Sequence, residues 1–181
     1  MEIEKVKKAT INDLVSIIDG IKNIQSEEKL SYKFNTKDLQ NVHYVENFLN
    51  NIKSQINHKR YKYLYTLSLP NDFSPDNAYN RYKNAKESKK SERAYARLNT
   101  KSPCLYVGSS KGLIPRIKQH LGFGPKGTYA MQLCYWCENL NLNITLNIYT
   151  FGNGISIKAF QAFEDGAWNY LKPMLGRQGK K

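Results

Sequence analysis

A chain of 181 residues is long enough for one well-buried core and too short for two ordinary domains, and its 40% hydrophobic and 12% aromatic content excludes a disordered polymer. The formal net charge of +13 suits a polyanionic partner, although an anionic membrane surface or plain solubility would also account for it. Apolar runs are short and the start, Met1-Glu2-Ile3-Glu4, carries no signal-peptide pattern, so the expectation is a soluble, cytoplasmic protein with no membrane segment.

In chain order, Thr10 predicts an N-cap, followed by Ile11, Leu14, Ile18, Ile21 and Ile24 at helical steps. A polar stretch over 26–35 leads to Thr36, expected to cap a second helix with the stripe Leu39, Val42, Val45, Leu49, Ile52 and Ile56. Both stripes read as core or helix-pair packing. Residues 61–69 alternate and are rich in tyrosine, the pattern of a strand. Pro70, Asn71, Asp72, Pro75 and Asp76 make a loop. A basic helix is expected over 79–98, a second strand over 104–108, and a helix over 112–121 with Pro115 in its first turn. Further expectations are a helix from Thr128 to Asn139, a strand over 142–149 and a final helix from Ile157 that ends before Pro173. Three strands among several helices indicate a small α/β sandwich.

The charge is uneven. Residues 1–60 carry 10 Lys/Arg against 8 Asp/Glu, whereas 79–101 carry 8 against 2 and 111–129 add 4 with no acid. A positive field concentrated in mid-chain is the footprint of a phosphate-contacting surface, with a solvated helix as the plainer reading. Arg81, Lys89, Lys90, Arg93, Arg97 and Lys111 are the candidate DNA contacts.

Five side chains suggest chemistry: Tyr65 on a strand, Tyr106 in Tyr-Val-Gly, Arg116, His120 and Glu164. Arg116 and His120 stand at i and i+4 and share a helix face, which can present a fixed cation and an imidazole to one phosphate. Phosphodiester hydrolysis needs a proton acceptor for the attacking water, positive charge at phosphorus and stabilisation of the leaving 3′ oxygen. A magnesium ion held by one carboxylate and several waters could serve the last need, with Glu164 as its ligand. Taken singly, each residue has a plainer role: a packed ring, a solvated charge, a helix cap.

Together, Tyr63-Leu64-Tyr65, Tyr106-Val107-Gly108-Ser109, Arg116, His120, Glu164 and the run Trp168–Pro173 resemble the GIY-YIG nuclease family over roughly 61–181, most like its small type II restriction endonucleases. The resemblance implies a three-stranded antiparallel sheet flanked by helices. Residues 1–60 would form an N-terminal helical extension and 70–103 a basic helical insertion. It implies one divalent ion (Mg2+, with Mn2+ as a substitute) on Glu164, and cleavage leaving a 5′ phosphate. Tyr65 would be the general base and Tyr106 would line the site. Arg116 would grip the scissile phosphate and His120 would polarise the tyrosine. Tyr63 stands where the first motif has glycine, and Gly176 where many members have asparagine, leaving a hydrogen bond for Arg177 or Gln178 to supply.

Cys104, Cys134 and Cys137 are too few for a disulfide framework, and the lone Cys134-x-x-Cys137 lacks the further ligands of a zinc site, so they read as core. His43 and His58 receive no role. Gly122-x-Gly124-x-x-Gly127 follows a helix rather than a strand and is rejected as a nucleotide loop. The reading is therefore a metal-dependent endonuclease acting on double-stranded DNA, with dimer contacts among the roles open to the added segments. The alternatives are a homing or repair nuclease, a non-cleaving nucleic-acid module and an RNA-binding protein.

Overall fold

Four stretches of alternating side chains pair into one antiparallel sheet in the order β1-β4-β2-β3. The computed structural model describes residues 2–56 and 62–179. Tyr61, His58 and the expected domain boundary at residue 60 lie outside the described residues. The strands are β1 (Glu28–Asn35), β2 (Lys62–Ser68), β3 (Cys104–Ser110) and β4 (Asn143–Phe151). Six helices accompany them among the described residues: α1 (Ile3–Lys22), α2 (Val42–Gln55), α3 (Pro75–Glu87), α4 (Leu113–Leu121), α5 (Leu133–Trp136) and α6 (Ile157–Leu171). None is long and apolar enough to cross a membrane.

Side chains alternate faces along a strand, so the sheet carries two different apolar surfaces. Tyr63, Tyr65 and Leu67 of β2 join Ile144, Leu146 and Ile148 of β4 in the larger cluster, covered by α2, α4 and α5. Leu64, Val107 and Phe151 point the other way and pack beneath Phe160 and Phe163 of α6. The result is a layer of helices on each face of the sheet.

The sheet has four strands, not the three expected. β1 lies in the segment read as a polar connection, and it pairs along its whole length with β4, Phe34 opposite Ile144. It is an edge strand whose exposed positions carry Glu28, Lys29, Ser31 and Lys33, and these charges mask the alternation of Leu30, Tyr32 and Phe34. Thr36 does not cap α2. Its buried hydroxyl donates to the Leu140 carbonyl (2.7 Å) and accepts from the Leu142 amide (3.1 Å), which pins the end of β1 beside the start of β4. Asn41 caps α2 instead, its side chain accepting from the amides of His43 and Tyr44. With β1 in the sheet and Val45, Leu49 and Ile52 of α2 in the larger cluster, the first third is part of the common core, and it is not wholly helical.

The two N-terminal stripes have different fates. That of α2 is buried except for Val42 at its start, but α1 begins at Ile3, well before Thr10, and has no buried residue. Ile11, Leu14 and Ile18 are each more than half exposed. α1 touches α6 near its C-terminal end, where a methyl on Gly20 would stand 2.7 Å from Ala159 Cβ, and through the Asp13–Lys158 ion pair.

The basic segment is helical only in its first half. Ser74 and Pro75 start α3 earlier than expected, and Lys89, Ser91 and Glu92 adopt left-handed backbone angles that end helical geometry. The helix expected over 128–139 shrinks to the single turn α5, which places Cys134 and Cys137 in the core as free thiols.

Ile52 has no exposed surface and links α2 to the sheet. Ile52→Ala is expected to cost about 2–5 kcal/mol in a urea titration. The fragment 62–179, lacking β1 and α2, is expected to show no cooperative transition by circular dichroism. A fully folded fragment would restore the two-part division.

Candidate active site

Register brings the two motif tyrosines together. Tyr65 faces Gly108 across the β2–β3 ladder and Leu67 faces Tyr106, so the tyrosines are diagonal neighbours on one face. Their rings stack, with centroids 5.9 Å apart and planes 18° from parallel. Two glycines leave room for Tyr106. A Cβ on Gly108 would stand 2.6 Å from its ring on one side, and a Cβ on Gly176 2.7 Å from it on another. The strand ends in α4, where Arg116 and His120 do share a face. The helix stops at Gly122, whose φ of +112° suits glycine.

His120 is completely buried against both tyrosines, with ring centroids 4.2 Å from Tyr106 and 5.9 Å from Tyr65. Its two nitrogens have different partners. Nδ1 accepts the Met131 amide (3.3 Å) and therefore carries the lone pair. The neutral ring then holds its proton on Nε2, 3.0 Å from the Tyr65 hydroxyl oxygen, which accepts it. Burial, and then the nearby Arg116 charge, keep the imidazole pKa well below its ordinary value, so it stays neutral. This tautomer makes His120 a donor to Tyr65, not a base toward it.

Tyr65 also has no exposed surface. Burial first, then the neighbouring Tyr106 hydroxyl, push its pKa well above the ordinary phenol value, against the opposing pull of Arg116. Arg116 serves both rings. One terminal nitrogen donates to the Tyr106 hydroxyl (3.0 Å), and the other donates to Gln119 Oε1 (2.9 Å) and reaches the Tyr129 carbonyl (3.4 Å). A guanidinium has five N–H donors, so capacity remains for a phosphate oxygen.

Glu164 reaches the site from α6, on the opposite layer. Its carboxylate accepts the Ser109 amide (2.9 Å) on one oxygen and the Ser109 hydroxyl (2.5 Å) on the other, which fixes it at the end of β3. It is near enough to raise the Tyr65 pKa further. A carboxylate offers about four lone-pair sites, and the two serine donors together with the longer Gln161 Nε2 contact (3.4 Å) still leave capacity for a cation. Among the described residues no group of three or more His, Cys, Asp or Glu could hold a metal ion. A single anchored carboxylate completed by water is a donor set that Mg2+ accepts and zinc does not favour.

Beside Tyr106 and Arg116 lies a cavity of about 550 Å³, which also takes in Lys86, Arg97, Arg177 and the edge of Tyr129. Of the candidate DNA contacts, only Arg97 lines it. Arg81, Lys89 and Lys111 are exposed elsewhere. Lys90 is paired with Glu138 (2.5 Å). Arg93 turns inward, donating to the Gly124 carbonyl (2.8 Å) with its guanidinium 4.7 Å from the Tyr135 ring centroid.

The departure at residue 176 has a steric cause. Gly176 has φ +104° and abuts the Tyr106 ring, so asparagine would be strained and would collide there. Asn99 holds this segment from outside, donating to the carbonyls of Pro173 and Gly176 (3.1 Å each). Sequence reasoning gave no role to Ser109, Gln119, Asn99 or Lys86. Ser109 alone had a signal, its place directly after Tyr-Val-Gly. The comparisons with family models, curated proteins and solved structures found no match to this chain.

Neutral burial of His120 has a pH consequence. A folded-state pKa held below the unfolded value of about 6.5 means the unfolded chain binds the extra proton, so this stabilisation is full above pH 6.5 and is lost as pH falls toward the folded pKa. Between pH 7.5 and 5.5 the loss should approach roughly 1.4 kcal/mol. Urea titrations at both values should show this loss in the wild type and not in His120→Gln. Equal pH dependence in the two proteins would contradict a neutral buried imidazole.

Proposed function

We propose that the chain is a metal-dependent endonuclease hydrolysing phosphodiester bonds in double-stranded DNA, and within that class a site-specific restriction enzyme of GIY-YIG type. The observation that carries this reading is the convergence of Tyr65, Tyr106, Arg116 and His120 in one hydrogen-bonded cluster beside an anchored Glu164. They come from β2, β3, α4 and α6, and the Tyr65–His120 and Ser109–Glu164 bonds each span 55 residues. A structural role alone would not require a guanidinium between two phenols at the mouth of a cationic cavity.

The chain's own groups divide the chemistry. Arg116 holds a phosphate oxygen with its spare donors and stabilises negative charge on either phenol. Tyr106 lines the cavity while Tyr65 is closed off, so the water that attacks phosphorus meets Tyr106 first. We therefore assign proton acceptance to Tyr106. Tyr65 positions it, stacking on its ring and sharing its cation. This departs from the sequence-based choice of Tyr65 as base, for the reason that burial opposes a phenolate there. Mg2+ on Glu164 would supply positive charge for the leaving 3′ oxygen.

Plasmid digestion with Mg2+, with EDTA as the blank and sequencing of the ends, tests the reading. Discrete cut sites with 5′ phosphates are expected. Scattered nicks would exclude the restriction role, and no cleavage under any divalent ion would exclude the enzyme. Glu164→Gln is expected to abolish cleavage while leaving DNA binding intact, because the amide keeps the shape without the charge.

Arg116→Ala and Tyr106→Phe are expected to lower kcat by about 10²-fold or more, and Tyr65→Phe by less. The reverse order for the two tyrosines would return the proton acceptor to Tyr65.

A further inference from the structure

The cavity beside Arg116 contains more positive charge than one scissile phosphate needs. Lys86 comes from α3, Arg97 from the segment that follows it, and Arg177 from the C-terminal stretch, so three separated parts of the chain place cations on one concavity. Among the described residues no acidic side chain lines it. Elsewhere several lysines are paired with acids: Lys90 with Glu138, Lys101 with Asp76, Lys126 with Glu92 and Lys83 with Glu87. Among the described residues no ion pair involves Lys86, Arg97 or Arg177. Lys86 gives one donor to the Ala96 carbonyl (2.9 Å) and keeps two more. Its pKa is lowered by partial burial first and then by the like charges of Arg177 and Arg97. Such repulsion opposes folding unless an anion relieves it.

Tyr129 stands at the edge of the same cavity, 70% exposed, although large aromatic rings are usually covered. Its carbonyl is the one Arg116 reaches, so the ring sits next to the residue that would hold the scissile phosphate. A volume of about 550 Å³ lies within the range of small-ligand pockets, roughly 300–1,000 Å³, and exceeds what a single phosphate group fills.

We infer that this cavity is a second phosphate subsite: Lys86, Arg97 and Arg177 hold the phosphate next to the one being cut, and Tyr129 stacks on the base between them. The assignment rests on the nuclease reading for its ligand, a DNA strand. It gives the basic insertion a definite task, namely fixing the strand's register over Arg116 and Tyr106 through Lys86 and Arg97. Arg177 occupies the C-terminal segment where an asparagine was expected, and it contributes charge to the subsite.

The test uses the full chain and a fluorescein-labelled 20-base-pair duplex in EDTA, so that binding is read without cleavage. Arg97 and Arg177 are exposed, and replacing them leaves the core untouched. In anisotropy titrations over a salt series, Arg97→Gln/Arg177→Gln is expected to flatten the log–log slope by roughly two units. The charge-matched Lys5→Gln/Lys8→Gln, on α1, is expected to leave the slope at the wild-type value. Tyr129→Leu should weaken binding about tenfold with the slope unchanged, as loss of stacking without loss of charge requires. An unchanged slope in the arginine pair, or an equal fall in the α1 pair, overturns the subsite, and undiminished affinity in Tyr129→Leu overturns the stacking. Plasmid cleavage by the wild type is scored separately. A flattened slope without cleavage sinks the nuclease and leaves the subsite, whereas cleavage with an unaltered slope sinks the subsite alone.

Discussion

The imidazole of His120 has no contact with solvent, and everything around the site depends on how its two nitrogens are satisfied. A buried polar group without a partner costs about 1–3 kcal/mol, so each nitrogen dictates the position of something else. Nδ1 takes the amide of Met131 and thereby fixes the segment that leads into α5. Nε2 donates to the Tyr65 hydroxyl oxygen and thereby fixes α4 against β2. Once α4 is fixed, Arg116 one turn earlier is brought to Tyr106, with its other terminal nitrogen on Gln119 and the Tyr129 carbonyl. One ring thus sets the helix, the cation and the tautomer.

The sheet contributes by separating its two faces. Tyr65 and Tyr106 belong to the face under α2 and α4, and Glu164 belongs to the helix on the other face. The carboxylate comes near the tyrosines because β3 ends at Ser110, where it can wrap onto Ser109, and Gly108 brings no side chain against their rings. The same absence gives Tyr106 room for its ring, and Gly176 provides the matching space beyond it. Glycine at these two points is a steric requirement of one aromatic ring held between backbone segments.

A net charge of +13 does not describe a surface until the partners of each cation are known. Several lysines of the basic middle segment are neutralised by local acids, and Arg93 is used to hold loops together. What remains concentrated is the group around the cavity, where like charges face one another across a concave wall and the field is focused. Position, more than number, makes that charge useful.

The sequence by itself determined what short-range periodicity controls. β2, β3 and β4 follow from alternation, α4 and α6 from their stripes and end signals, and the shared face of Arg116 and His120 from their i, i+4 spacing. It did not reveal β1, because an edge strand with charges on its open face looks like a polar connection, nor the exposure of α1, because an amphipathic stripe is the same whether or not something covers it. Only the tertiary structure decided which tyrosine is fully sealed and which lines the cavity, that Ser109 anchors Glu164, that Gly176 excludes a side chain, and that Lys86, Arg97 and Arg177 share one cavity. The reason is physical. Local propensity acts over a turn or a strand, whereas burial and electrostatics depend on which distant segments the sheet register and the packing of helices bring within a few ångströms.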